Sequence, residues 1–258
     1  MHQVQARRTE RGEKAFLIEL YSGVQGEGIL VGERMVFLRF TGCNLTCDYC
    51  DTQMSRAIDT VARIERTPGA RDFETVANPI DQDSVLSRVT RLAAERTLHR
   101  YIAVTGGEPL LYARFIRRLA PGLAALGLSI YLETNGTLPA ELERVLEHVE
   151  WIAMGVKEEA DGASLETAWR FLGTARARKV FVKSVVRKNP DIEHYRRVAA
   201  GIRAVDPGIP FVLQPVTPYG PVVAGPAPGE VLELQRELKR VLPDVRVIPQ
   251  THKLIGQI

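Results

Sequence analysis

Val36-Phe37-Leu38-Arg39-Phe40-Thr41-Gly42-Cys43-Asn44-Leu45-Thr46-Cys47-Asp48-Tyr49-Cys50 runs from a short apolar stretch straight into three cysteines. Such a run reads as a buried strand, and the glycine behind it marks the strand's end. The thiols therefore hang from the end of a strand. They are the only cysteines of the chain. A disulfide framework uses an even number spread along a short secreted chain, so three clustered thiols point to metal. Thiolates suit iron–sulfur clusters, copper(I) and zinc. A structural zinc site needs four protein ligands, and a distant residue such as His252 would have to supply the fourth. Ferredoxins use four cysteines for each cluster. Three cysteines on a cubane cluster leave one iron open to bind something else, and zinc stands as the alternative.

Outward from this stretch, strand-like and helix-like segments alternate. Apolar runs lie at 36–40, 101–105, 128–134, 151–154, 179–185, 210–214 and 245–248. Between two of them Val85, Leu86, Val89, Leu92 and Ala93 recur at helical spacing behind the caps Asp83 and Ser84. Phe115, Ile116, Leu119, Leu123 and Leu126 repeat the pattern, and Pro139 opens a third helix with Leu142, Val145, Leu146 and Val149. Further helices are expected over 164–174, 191–204 and 228–242. Sustained alternation predicts an α/β fold, an incomplete (β/α) barrel of about six parallel strands. A doubly wound open sheet is the competing topology, and periodicity does not separate the two. In both, function gathers at the C-terminal ends of the strands. Residues 53–82 break the alternation and read as an inserted loop or small excursion over the cysteines, within a single domain spanning 1–258.

The chain has 258 residues, 45% of them apolar, and carries 34 basic against 31 acidic residues. Much of the excess sits in Arg7, Arg8, Arg11 and Lys14. These read as a flexible basic tail over residues 1–15 rather than a nucleic-acid contact. No apolar run approaches the roughly 20 residues of a membrane-spanning helix, and the start lacks the apolar core of a secretory signal. The expected location is cytoplasmic, with neither membrane nor nucleic acid as partner.

The spacing Cys-x-x-x-Cys-x-x-Cys, with Tyr49 before the third cysteine, resembles the radical S-adenosylmethionine superfamily. Thr105-Gly106-Gly107-Glu108-Pro109, behind a strand, is similar to that superfamily's second motif. From the residues alone, paired glycines let a ligand approach the backbone, and Glu108 is an anion suited to an ammonium group. Tyr21-Ser22-Gly23-Val24-Gln25-Gly26-Glu27-Gly28, Cys50-Asp51-Thr52, Glu133-Thr134-Asn135-Gly136 and Gln250-Thr251-His252-Lys253-Leu254-Ile255-Gly256 narrow the resemblance. They look like the 7-carboxy-7-deazaguanine synthase family, from about residue 16 onward.

The resemblance implies a radical SAM core that converts 6-carboxy-5,6,7,8-tetrahydropterin to 7-carboxy-7-deazaguanine with loss of ammonia. It implies a [4Fe–4S] cluster on Cys43, Cys47 and Cys50, with S-adenosyl-L-methionine near Tyr49, Asp51, Gly107, Glu108, Gly155, Val156 and Lys157. Magnesium (Mg2+) would meet Thr52. Val24, Gln25, Gly26, Glu27, Arg39, Thr105, His252 and the terminal carboxylate of Ile258 would meet the pterin. Arg39 would grip its carboxylate, since a guanidinium can do so in bidentate fashion. An electron donor such as flavodoxin or ferredoxin and a homodimer complete the implied picture. One departure stands out: many family members carry Ser-Pro-Lys where this chain has Gly155-Val156-Lys157, which leaves only a backbone contact to the cofactor there.

Overall fold

The computed structural model describes residues 12–50, 52–157, 164–220 and 222–257. Its strands in chain order are β1 (Lys14–Ala15), β2 (Leu17–Val24), β3 (Arg34–Phe40), β4 (Val61–Glu65), β5 (Phe73–Ala77), β6 (Ile80–Asp81), β7 (Tyr101–Gly106), β8 (Ser129–Thr134), β9 (Val149–Gly155), β10 (Lys179–Val186), β11 (Phe211–Pro215) and β12 (Val245–Val247). The helices are α1 (Gln82–Leu92), α2 (Ala113–Ala125), α3 (Pro139–Glu143), α4 (Leu165–Ala175), α5 (Ile192–Val205), α6 (Pro228–Leu238) and α7 (Thr251–Leu254). One large sheet runs in the order β12-β11-β10-β9-β8-β7-β3-β2-β4-β5. From β3 to β12 every neighbouring pair is parallel, whereas β2 lies antiparallel to β3. The sheet ends on β12 and β5 and does not close on itself. This is the incomplete barrel expected, not a full one.

Most of the parallel strands carry a short apolar run because both of their faces are covered, and the exception is the edge strand β12, where Arg246 is exposed. One face packs Val36, Leu38, Ile102, Val104, Leu132, Ile152 and Val182 against helix residues such as Val89, Phe115, Leu119, Phe171 and Val198. The other face carries a second cluster, with Met35, Phe37, Tyr101, Ala103, Tyr131, Ala153, Phe181 and Val212. That second cluster lies inside the curved sheet and forms the floor of the site.

Several boundaries differ from the sequence reading. Segment 53–82 is not a bare loop: β4 pairs parallel with β2, and β5 returns antiparallel beside it. Ala62 and Ile64 are fully buried there, while Val61, Arg63, Thr75 and Ala77 face out or half out, so the edge hairpin offers only a faint apolar signal. The basic tail ends sooner than residue 15, because β1 pairs with β6 and buries Ala15 completely. Residues 1–11 lie outside the described part. The cap of α1 is Asp81, whose side chain accepts from Ser84 N at 2.8 Å. Asp83 stands in the first turn instead, where a negative charge complements the helix dipole. The helix opened by Pro139 stops at Glu143, a 3-10 turn follows over Leu146–His148, and Val149 already belongs to β9.

Candidate active site

Side chains alternate faces along a strand, so the face that carries Phe37, Ala103, Tyr131, Ala153, Phe181 and Val212 returns two residues later. There it presents Arg39, Thr105, Glu133, Gly155, Lys183 and Gln214, all at the C-terminal ends of parallel strands. All six line one cavity of about 380 Å³. A single layer of inward residues thus turns from apolar to polar on passing from floor to site.

β2 enters this layer from the opposite direction, with Tyr21 opposite Phe37 and Glu19 opposite Arg39. The Tyr21 and Phe37 rings stack at 5.0 Å. Arg39 donates from Nε to Glu19 Oε1 at 2.9 Å and from Nη2 to the Tyr21 hydroxyl at 3.1 Å. Burial pushes the Tyr21 hydroxyl up to about 12, against the lowering effect of Arg39, so it stays a neutral phenol. Glu133 accepts from Gln25 Nε2 at 2.7 Å and from Thr105 Oγ1 at 2.9 Å. Glu27 takes the Lys183 ammonium on Oε2 and Gln250 Nε2 on Oε1, the latter at 2.7 Å. Burial alone would raise the Glu27 carboxyl, but Lys183 and then Gln250 hold it well below the usual carboxylate range. It is an anion.

The Gln25–Glu27 turn is preformed. Gln25 N donates to Glu33 O at 2.8 Å, Gly32 N to Gln25 O at 2.9 Å, and Glu27 N to Gln25 Oε1 at 2.9 Å. Gly28 has a φ of +66°, and the Phe181 ring fills the space a Cβ would need. α7 closes this side: Thr251 donates to Gly26 O from N at 2.9 Å and from Oγ1 at 3.2 Å. A Cβ on Gly26 would overlap the His252 ring.

The three cysteines line the same cavity. All are free and half-buried. Burial pushes the Cys43 and Cys47 thiols up, so loading a metal there must displace protons. The loop is tied at both ends. Gly42 N donates to Ser55 O at 2.6 Å, the Arg56 guanidinium caps the Cys47 carbonyl, and Glu108 N donates to Gly42 O at 2.8 Å. Asn135 Nδ2 lies 3.9 Å from Cys43 Sγ and donates to Asn44 Oδ1 at 2.9 Å, a donor placed to tune a sulfur ligand. Two observations fit the implied groups. All three thiols line the one cavity, and the ring of His252, the residue that would have to be zinc's fourth ligand, lies against Gly26. Gln214, buried at the cavity wall, has an amide oxygen with no partner among the described residues, an acceptor left for a ligand to satisfy.

Of the residues singled out from the sequence, Val24, Gln25, Gly26, Glu27, Arg39, Cys43, Cys47, Tyr49, Cys50, Thr52, Thr105, Gly107, Gly155, Lys157 and His252 line the cavity. Asp51 and Ile258 lie outside the described residues. Two of the expected residues, Glu108 and Val156, are not among those that line the cavity. Glu108 is fully buried. Its carboxylate accepts from Leu110 N (3.0 Å), Thr134 Oγ1 (2.8 Å) and Asn135 N (2.8 Å), so it joins the loop after β7 to the loop after β8 rather than offering a free anion. Val156 buries its side chain in the helix-side core and donates its N–H to Lys183 O at 2.8 Å. The paired glycines also meet a packing demand. A Cβ on Gly106 would strike Phe40 backbone and one on Gly107 would strike Gly42 backbone, so the pair lets two loops pack together. Sequence reasoning missed Glu19, Tyr21, Glu133, Lys183, Gln214 and Gln250 as partners. For Glu133, Lys183 and Gln214 the available signal was parity, since each stands two positions after an inward apolar residue.

No helix among the described residues is long and apolar enough to cross a membrane. The family model of the radical SAM superfamily matches residues 37–186. The chain is 42% identical over 249 residues to a 7-carboxy-7-deazaguanine synthase of Geobacter sulfurreducens, covering 95% of this chain and 98% of that one. It is 32% identical over 253 residues to a protein of the same name from Archaeoglobus fulgidus, covering 94% and 99%. The crystal structure of QueE from Escherichia coli matches with a TM-score of 0.57 at 18% identity, over 91% of this chain and 93% of that one, a likeness of fold. With more than half of the chain under one family model and full-length relatives above 30% identity, the chain belongs to the radical SAM superfamily and, within it, to the 7-carboxy-7-deazaguanine synthase family.

Proposed function

We propose that this chain is a carbon–nitrogen lyase that converts 6-carboxy-5,6,7,8-tetrahydropterin to 7-carboxy-7-deazaguanine with release of ammonia, on the route to queuosine and other 7-deazapurines. The carrying observation is the inward polar layer: two carboxylates, Glu27 and Glu133, and one guanidinium, Arg39, share a cavity with three free thiols. A reduced pterin presents ring N–H and amino donors at one end and a carboxylate at the other. Glu27 and Glu133 are acceptors for the donors, with Gln25 and Thr105 orienting Glu133. Arg39 is the partner for the carboxylate, held in place by Glu19 and Tyr21. Val24, Gly26 and His252 wall the ring from water.

Cys43, Cys47 and Cys50 would hold the [4Fe–4S] cluster, and Tyr49, Gly107, Gly155 and Lys157 would border S-adenosylmethionine. Together these groups supply, when bound, the one-electron chemistry that abstracts hydrogen from carbon. Lys157 brings a cation to a cofactor carboxylate. Gly155 leaves that ammonium room, since a Cβ there would lie 3.0 Å from Lys157 Nζ. Thr52 offers one hard oxygen to magnesium, an ion that keeps most of its waters and so needs few protein ligands. A single domain, a flavodoxin- or ferredoxin-type electron donor, a homodimer and a cytoplasmic location complete the proposal, with no nucleic-acid or membrane partner.

The test is anaerobic turnover after reconstitution with iron and sulfide, in the presence of reductant, S-adenosylmethionine, magnesium and 6-carboxytetrahydropterin. Mass spectrometry should find 7-carboxy-7-deazaguanine, and Cys43→Ala should abolish both it and the cluster absorbance. Cofactor cleavage without that product would overturn the substrate.

A further inference from the structure

The β4–β5 hairpin takes no part in the chemistry above, yet its turn is fastened by several hydrogen bonds. Asp72 accepts from Arg66 N at 3.2 Å, Thr67 N at 2.9 Å and Thr67 Oγ1 at 3.0 Å. Arg34 donates from Nη2 to Pro68 O at 3.1 Å. Glu65, buried, accepts from Ser22 N and from Arg71 N, both at 2.8 Å. The turn is thereby pinned to β2 and β3, the strands that carry the Gln25–Glu27 turn and Arg39. Arg71 emerges from it with a φ of +59°, a left-handed conformation that a residue with a Cβ adopts only when its surroundings impose it. Its guanidinium reaches 185 positions along the chain, where Nη1 donates to Gly256 O at 3.1 Å.

The segment it meets has little apolar anchorage. Leu254 and Ile255 are 80% and 61% exposed. Polar contacts hold the near end, with Gln250 on Glu27 and Thr251 on Gly26. The far end is stapled internally by Gln257 N to His252 O at 2.9 Å and externally by Arg71. His252, Lys253 and Gln257 all line the cavity. We propose that Arg71 is a positioning residue for the substrate site: the β4–β5 hairpin is a strut that fastens the C-terminal segment 250–257 as a wall of the cavity. The wall itself follows from the geometry, and only the kinetic part of the test rests on the pterin reading.

Two variants and two readouts test it. Arg71→Gly accepts the left-handed φ and removes the guanidinium, so it separates the contact from the backbone demand. Arg71→Lys keeps a charge that can reach a carbonyl. Native-state trypsin cleavage after Lys253, followed by mass spectrometry, reads how often the segment opens. In Arg71→Gly it should accelerate about three- to tenfold, the weight of one hydrogen bond from a charged group at a partly solvated site. KM for 6-carboxytetrahydropterin should rise by a similar factor, with iron content and substrate-free cleavage of S-adenosylmethionine unchanged. Arg71→Lys should recover part of both effects. Unchanged protection in Arg71→Gly, or lost protection with an unchanged KM, overturns the proposal. Should the unsubstituted chain fail to turn over the pterin, the functional reading fails, while protection of Lys253 still decides the strut.

Discussion

Glu27 sits between an ammonium and an amide, and its charge state follows from which of them is kept. The charged and titratable groups that act on it are Lys183 on β10 and His252 on α7, with the buried Tyr131 of β8 nearby and Gln250 donating beside them. With Lys183 present the carboxyl is depressed below its ordinary value of 4.5. A depressed carboxyl contributes stability that is complete above the unfolded value and is lost as pH falls through the folded one. Across neutral and mildly acidic pH, then, Glu27 is an anion and its capacity to accept from a substrate is constant. Lys183→Met removes the main lowering influence and leaves burial, which favours the neutral acid. In that variant KM for the pterin should climb as pH falls from about 7 to about 5, while the unsubstituted chain shows no such climb from this group. A flat KM profile in Lys183→Met would mean that Glu27 does not receive the substrate. Lys183→Arg, which keeps the charge, should restore most of the flatness.

At the scale of elements, the site depends on two loops that pack backbone against backbone. Gly107 N donates to Phe40 O at 3.1 Å and Glu108 N to Gly42 O at 2.8 Å, so the loop after β7 is laid directly on the start of the cysteine loop. A methyl at Gly107 would meet Gly42 backbone, which cannot rotate aside as a side chain could. Gly107→Ala should cost about 1–3 kcal/mol through overpacking and should reduce iron retained per chain after reconstitution and desalting. Gly173→Ala is the control. Nothing lies within 4 Å of its Cβ position on α4, so iron should be unaffected and stability unchanged or slightly higher. Most of the parallel strands were legible in the sequence because, buried on both faces, they carry a short apolar run. β2 was not, because the polar Glu19 and Ser22 and the side-chain-less Gly23 interrupt the run where the strand borders the site and its buried neighbours. β4 and β5 were hidden by their half-exposed edge position. The candidate site was legible where a motif carried it, in Gln25–Glu27 and the three cysteines. Its internal pairings were not. Gln25 with Glu133, Lys183 with Glu27 and Gln250 with Glu27 join positions 108, 156 and 223 residues apart, and only the register of the folded sheet brings such pairs together.

For the whole molecule, the question is how far the fold depends on the metal that its thiols would hold. The two apolar clusters are built from strands and helices, and neither contains a cysteine. In the cysteine loop itself Leu45 is buried, while Cys43, Cys47 and Cys50 are half-buried. Small metal domains whose ligands are their core are unfolded without metal. A chain of 258 residues with a continuous sheet has apolar burial of its own. Removal of iron, by chelation or by replacing the three cysteines with alanine, should therefore leave cooperative unfolding intact and lower the midpoint by only a few degrees, on the order of 1–2 kcal/mol for a chain of this size. Hydrogen exchange should localise the loss. Amides of 42–50 and 52–57 should exchange faster, with a smaller effect spreading through the Gly42–Glu108 and Asn135–Asn44 bonds to the loops after β7 and β8. Amides of β7, β8, β9 and β10 should keep their protection. Loss of protection across those strands on iron removal would show instead that the metal organises the sheet, and that the inward polar layer is assembled only when the thiols are occupied.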